Sequence, residues 1–192
     1  AIEDGEGLSL YLQPQYDEAL NIRGGERLLR WFHQNRFVPP SEFIPVAEDC
    51  GLIYPLGDWV IEEACTIAGN LLAHLDDPSF SIALNVSPRQ FRSKSFTEKV
   101  LSSIRERGLP AGLIELEVTE GLLIEDVDDT VAKIDTLRSC GVRFSIDDFG
   151  TGYSSLSYLK SLPLDTLKID QSFVRDLLTD PGDASIVRAI IS

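Results

Sequence analysis

Four short runs in this chain share one pattern, in which large aliphatic residues alternate with small or polar ones. In 81–86, Leu84 and Val86 oppose Ala83 and Asn85; in 114–119, Ile114, Leu116 and Val118 oppose Glu115, Glu117 and Thr119. In 142–146, Phe144 and Ile146 oppose Ser145, with Asp147 following in the polar parity; in 166–169, Leu167 and Ile169 oppose Thr166 and Lys168, with Asp170 following in the polar parity. A strand sends successive side chains to opposite faces, so each run has an aliphatic face suited to covering by helices and a small or polar face. Open doubly wound sheets bury both faces and read as near-continuous apolar runs. The alternation therefore predicts an α/β barrel whose interior is polar.

Helical patterns separate these runs, at 97–107, 129–139 and a short 156–159, with Gly108, Pro110, Gly141 and Pro163 between elements. Two earlier strands are expected at 8–15 and 26–31, parted by a turn containing Asn21 and Gly24-Gly25. A short helix ends near Cys50-Gly51, and a longer one covers 56–75. The sum is a run of βα units in one domain, 1–192, with no linker. A closed eightfold barrel takes about 250 residues, and the chain has 192. The expectation is an incomplete barrel of about six strands, short of two βα units and open at two edges.

Composition narrows the function. The formal net charge is −14, which argues against a nucleic-acid polymer as partner, since that needs clustered Lys and Arg. No apolar run approaches the roughly 18 residues of a membrane span, and the acidic start AIEDGEG lacks the basic head of a secretory signal. A cytoplasmic chain is expected, whether on its own or as part of a larger membrane-attached protein. Cys50, Cys65 and Cys140 are too scattered for a zinc motif and are expected as reduced, buried thiols.

Glu26, Asn85, Glu117, Asp147, Asp148 and Lys168 fall at or just past strand ends, and Asn85, Glu117 and Asp147 follow one another at intervals of about 30 residues, the length of one βα crossover. Strand ends at that interval converge on one barrel mouth. Oxygen donors gathered there suit Mg²⁺ or Mn²⁺. Four of the six also have a structural alternative. Glu26 could pair with Arg30, Asn85 could cap the turn before Pro88, Asp148 could serve the turn before Gly150, and Lys168 could simply neutralise the acids.

With these residues in place, the chain resembles the EAL domain, the family of cyclic-di-GMP-specific phosphodiesterases. The segments that carry the likeness are YLQPQ (11–15), ERLLRW (26–31), FIPVAEDCG (43–51), LNVSPRQF (84–91), LEVTE (116–120), DDFGTGYSSLSYLKSLPLDTLKID (147–170) and QSFVRDL (171–177). The resemblance implies a modified TIM barrel with one antiparallel strand. It implies two Mg²⁺ or Mn²⁺ ions held by Glu26, Asn85, Glu117, Asp147 and Asp148, with Asp147 bridging and Lys168 beside the attacking water. Glu26, Asp147 and Lys168 would then be catalytic. Gln13, Leu29 and Arg30 would meet the substrate, and Glu120 would brace the loop 148–155. The implied reaction is hydrolysis of cyclic di-GMP to linear pGpG. A homodimer contact near that loop, with Tyr153 and Leu156 as candidates, and a flanking sensor or GGDEF domain are implied as partners.

Two departures stand out. Arg27 replaces the Ala of the family triplet, and alternation puts it on the helix side, where a long cation must snorkel or find an acid. The family's later AEGVE-like and QG-containing segments are absent, so the 192 residues alone are expected to hold metal weakly and to hydrolyse poorly. A receptor that binds the dinucleotide without cleaving it, and an interaction domain with a vestigial mouth, are the competing readings.

Overall fold

The computed structural model describes residues 7–34, 36–72, 74, 77, 79–123, 127–150 and 163–191. Strands β1 (Leu8–Tyr16) and β2 (Ile22–His33) form a hairpin, and β3 (Arg36–Val38) folds back on the end of β2. Helices α1 (Pro40–Asp49) and α2 (Ile53–Leu72) follow. Then come β4 (Ser81–Asn85), α3 (Pro88–Arg92), α4 (Phe96–Glu106), β5 (Ile114–Thr119), α5 (Val127–Ser139), β6 (Arg143–Phe149), β7 (Thr166–Ile169), α6 (Gln171–Arg175) and α7 (Pro181–Ile191). The helix expected at 156–159 lies outside the described residues.

The sheet order is β1-β2-β4-β5-β6-β7, with β3 attached to β2. From β2 to β7 every neighbouring pair on that path is parallel, and β1 runs antiparallel to β2. This is the α/β architecture expected, an open barrel-like sheet with one full-length antiparallel strand. The count of six strands needs one addition. β3 is three residues long, too short to show any alternation, and it exists because β2 offers it a partner.

The first turn also differs from expectation. Gly24 and Gly25 lie inside β2, and the chain turns at Asp17–Asn21, where the Asp17 carboxylate accepts hydrogen bonds from the Ala19 and Asn21 amides at 2.9 and 2.8 Å. The two glycines permit close approach. A Cβ on Gly24 would stand 2.5 Å from the Ser81 carbonyl oxygen of β4, and one on Gly25 would meet Leu12 at 2.2 Å.

The aliphatic faces pack as the alternation predicts. Ile82, Leu84, Leu116, Val118, Phe144 and Ile146 are buried in one core with Ala64 and Ala68 of α2, Val100 of α4 and Leu137 of α5. Phe91 of α3 ties the layers, 5.2 Å from Phe96 and 6.3 Å edge-on to Phe144, ring centroid to centroid. A smaller cluster, built on Phe43, Ala47, Ile53 and Leu56, packs α1 and the start of α2 against Leu29 and Trp31 of β2.

Two expectations about single side chains are settled here. Only Cys65 is a buried thiol; Cys50 and Cys140 are exposed, and all three are free. Both exposed thiols sit at helix C-terminal ends, outside the stripe that packs on the sheet. Arg27 does point to the helix side, where it is only 6% exposed. Burial lowers its basicity, the charge of Glu63 on α2 offsets part of this, and its Nε finds no hydrogen-bond partner among the described residues. No helix among the described residues is long and apolar enough to cross a membrane.

Candidate metal centre

Parallel pairing brings the strand ends together in register. Glu26 of β2 lies beside Ala83 of β4, Asn85 of β4 beside Glu117 of β5, and Thr119 of β5 beside Asp147 of β6. Since partners in register share a face, Glu26, Asn85 and Glu117 all project from the polar side. One oxygen each from Glu26, Glu117 and Asp147 lies within 4.8 Å of the other two.

Lys168 of β7 completes the group from the far strand. Its Nζ is 3.0 Å from Glu26 Oε2, 2.9 Å from Glu117 Oε1 and 3.2 Å from Asp147 Oδ1. Glu117 is the deepest of the three acids, at 1% exposure. Its Oε1 meets the Lys168 ammonium, and its Oε2 is buried with no hydrogen-bond partner among the described residues. Burial pushes the Glu117 carboxyl up to about 7; the Lys168 ammonium opposes this and the Glu26 and Asp147 charges add to it. Burial also draws the Lys168 ammonium down, but Glu117 and Glu26 outweigh it, and the lysine ends above its ordinary value.

Asn85 donates from Nδ2 to Glu26 Oε1 at 2.8 Å, which holds Glu26 in place and leaves the amide oxygen of Asn85 for another partner. Asp148 is oriented differently. The β6–β7 pairing shifts register between Ile146 and Phe149, and Asp148 has φ +52°, a conformation side-chain-bearing residues seldom adopt. The irregularity turns its carboxyl onto Asp170, and burial, the Asp147 charge and that contact raise it above the ordinary carboxylate range. Asp170 in turn caps α6 by accepting the Ser172 amide at 2.8 Å. The cluster thus brings together Glu26, Glu117, Asp147 and Lys168, with Asn85 attached, while Asp148 stands beside it.

The other expected site residues flank this group. Gln13 of β1 pairs in register with Glu26 and is exposed on the same face. Arg30 donates to the Leu29 carbonyl at 3.0 Å and stacks over the Tyr11 ring at 5.8 Å, so it is not engaged by Glu26. Leu29 and Arg30 line a cleft of about 450 Å³ with Pro40, Asn85 and Ser87. Glu120 is buried and accepts the Gly150 amide at 3.3 Å, anchoring the start of the loop that follows β6. The rest of that loop, with Tyr153 and Leu156, lies outside the described residues. Sequence reasoning assigned no role to Asp170 or Tyr11. Asp170 was detectable, since it shares the parity of Lys168; Tyr11 was not, since its partner is set by the β1–β2 hairpin.

The donors fit hard divalent cations. Three carboxylates and a free amide oxygen are the ligand types Mg²⁺ and Mn²⁺ take. Glu117 Oε2, buried with no donor among the described residues, is an atom such an ion would satisfy.

Comparison with known proteins agrees with this geometry. The family model described as the EAL domain matches residues 1–192. The chain is 39% identical over 188 residues to the cyclic di-GMP phosphodiesterase NbdA of Pseudomonas aeruginosa, covering 94% of this chain and 24% of the relative. It is 41% identical over 185 residues to the signaling protein YkoW of Bacillus subtilis, covering 95% and 23%. Among solved structures, the PaMucR phosphodiesterase in complex with c-di-GMP superposes with a TM-score of 0.92 at 39% identity, over 99% of this chain and 77% of that one. An EAL domain protein of Listeria monocytogenes gives 0.83 at 30% identity, over 99% and 74%. The chain spans only about a quarter of the length of these two curated relatives. With its whole described length matched, its sheet order and its acidic strand ends in one place, the chain belongs to the EAL-domain family.

Proposed function

We propose that this chain hydrolyses cyclic di-GMP to linear pGpG with two divalent cations. The observation that carries the reading is the convergence of one oxygen each from Glu26, Glu117 and Asp147 within 4.8 Å of one another. Related proteins support it, being named as cyclic di-GMP phosphodiesterases or solved with c-di-GMP bound.

Glu26, Asn85, Glu117, Asp147 and Asp148 would hold the ions. Bound there, divalent cations supply an acidified water and neutralise the attacked phosphodiester. The chain's own residues do the rest. Arg30, levelled by Tyr11, offers its guanidinium to a phosphate at the mouth of the cleft. Gln13 reaches the same face from β1, and Leu29 forms apolar wall. Lys168 Nζ donates a hydrogen bond to the attacking water and offsets charge gathering on the phosphoryl oxygens. Water oxygen bonds to phosphorus and gives up a proton to solvent, the bond from phosphorus to the 3′ oxygen breaks, and the leaving oxygen takes a proton from solvent. One guanosine keeps a 5′ phosphate, and the product is pGpG.

Incubation with cyclic di-GMP, with Mg²⁺ or with EDTA, tests this by product analysis. Metal-dependent pGpG that vanishes in Glu26→Ala is the expected result. Tight nucleotide binding without product would replace hydrolysis by a receptor role. We also propose that the chain forms a homodimer; a mass that stays monomeric at every concentration in sedimentation runs would refute this.

A further inference from the structure

The three acids that would take a metal ion already enclose a cation. Lys168 Nζ lies 2.9 to 3.2 Å from one oxygen of each of Glu26, Glu117 and Asp147. These same three residues form the one metal-suited carboxylate group found among the described residues. Three carboxylates so close repel one another unless a positive charge sits between them. The ammonium supplies that charge and leaves the group with two net negative charges, the balance a divalent ion would cancel.

The dimensions of the cage exclude joint occupancy. Mg²⁺ draws its oxygens to about 2.0–2.1 Å, roughly 1 Å shorter than the lysine contacts. The carboxylates must therefore close in, and an ammonium with its own carboxylate contacts cannot stay in the contracted ring beside a doubly charged ion. The four-carbon stem of lysine rotates readily, and an alternative acceptor is at hand. Asp170 shares the Lys168 face two residues along the chain, and its carboxyl contacts Asp148.

We infer that Lys168 is the resident counter-ion of the metal centre, filling the cation position among Glu26, Glu117 and Asp147 until a divalent ion displaces it towards Asp170. The lysine keeps the acids assembled in the metal-free protein. Once displaced, it stands beside the ion, where the reading above needs its amine. The inference rests on that reading of the three acids as ligands.

Two measurements on the full chain test it, both without nucleotide at about pH 8. Calorimetric titration with Mn²⁺ is expected to show binding at least about tenfold tighter in Lys168→Met than in the unaltered chain, with Lys168→Gln as a second variant and circular dichroism to confirm folding. Acetylation of the unaltered chain, followed by mass spectrometry, is expected to label Lys168 at least about fivefold faster when Mn²⁺ is added, with Lys94 unchanged as internal reference. Equal or weaker Mn²⁺ binding in both variants overturns the inference. So does tighter binding with no rise in labelling, which would mean that the lysine repels the ion without leaving. Glu117→Gln separates the two ideas: if it binds Mn²⁺ as well as the unaltered chain, the ligand assignment is what fails, and displacement fails with it.

Discussion

Replacing Glu117 by glutamine should make the metal-free protein more stable as the pH rises from about 5 to neutrality. The Glu117 carboxyl is pushed from its ordinary 4.5 up to about 7, chiefly by burial. Between those values the native state holds a proton that the unfolded chain has released. Folding stability therefore falls as pH rises through this window, and the loss is complete above about 7. At 1.36 kcal/mol per unit, the shift is worth about 3 kcal/mol. Glutamine has no proton to lose. The stability of Glu117→Gln relative to the unaltered chain should accordingly climb by up to about 3 kcal/mol between pH 4.5 and 7, whatever constant offset the amide introduces. Urea unfolding in EDTA at several pH values measures this directly. A difference that stays flat across the window would refute the reasoning, because it would mean that Glu117 ionises in the fold as it does in the open chain. Saturating Mn²⁺ should reverse the order, since only the carboxylate form gains the linkage stabilisation of a bound ion.

Two smaller predictions follow from side chains away from the centre. Burial raises the Cys65 thiol to about 11, whereas Cys50 and Cys140 are exposed; a thiol reagent at pH 8 should titrate two groups at once and the third only after unfolding. Arg27 is buried with an unpartnered Nε, so Arg27→Met should leave stability unchanged or raise it by about 1 kcal/mol. A loss above about 2 kcal/mol, read by urea unfolding, would show that the guanidinium is better partnered than its surroundings indicate.

Much of the fold was legible because period-two alternation survives in each parallel strand. β5 and β7 have the bounds that the alternation predicts, 114–119 and 166–169, and β4 ends one residue early. The polar parity of Glu26, Asn85, Glu117 and Asp147 was equally plain, because an acid on a strand's inward face has few structural uses. Where the reading missed, a partner distant in sequence decided the outcome. Gly24 and Gly25 look like a turn, yet the carbonyl of Ser81 and the side chain of Leu12 require them flat within a strand. β3 carries no pattern of its own and depends on β2. The exposed thiols could not be told from the buried one, since cysteine spacing says nothing about which helix face meets the sheet.

Local chemistry thus determined that this chain makes βα units with aliphatic outer faces and a row of polar strand ends, since alternation is a property of neighbours along the backbone. The tertiary structure alone decided how those ends meet. Parallel register set Glu26, Glu117 and Asp147 within 4.8 Å, the far strand β7 delivered the Lys168 ammonium among them, and the register shift in β6 sent Asp148 to Asp170 instead. Distances of this kind depend on strand pairing and sheet curvature, which act between residues on different strands and leave no trace in any one segment.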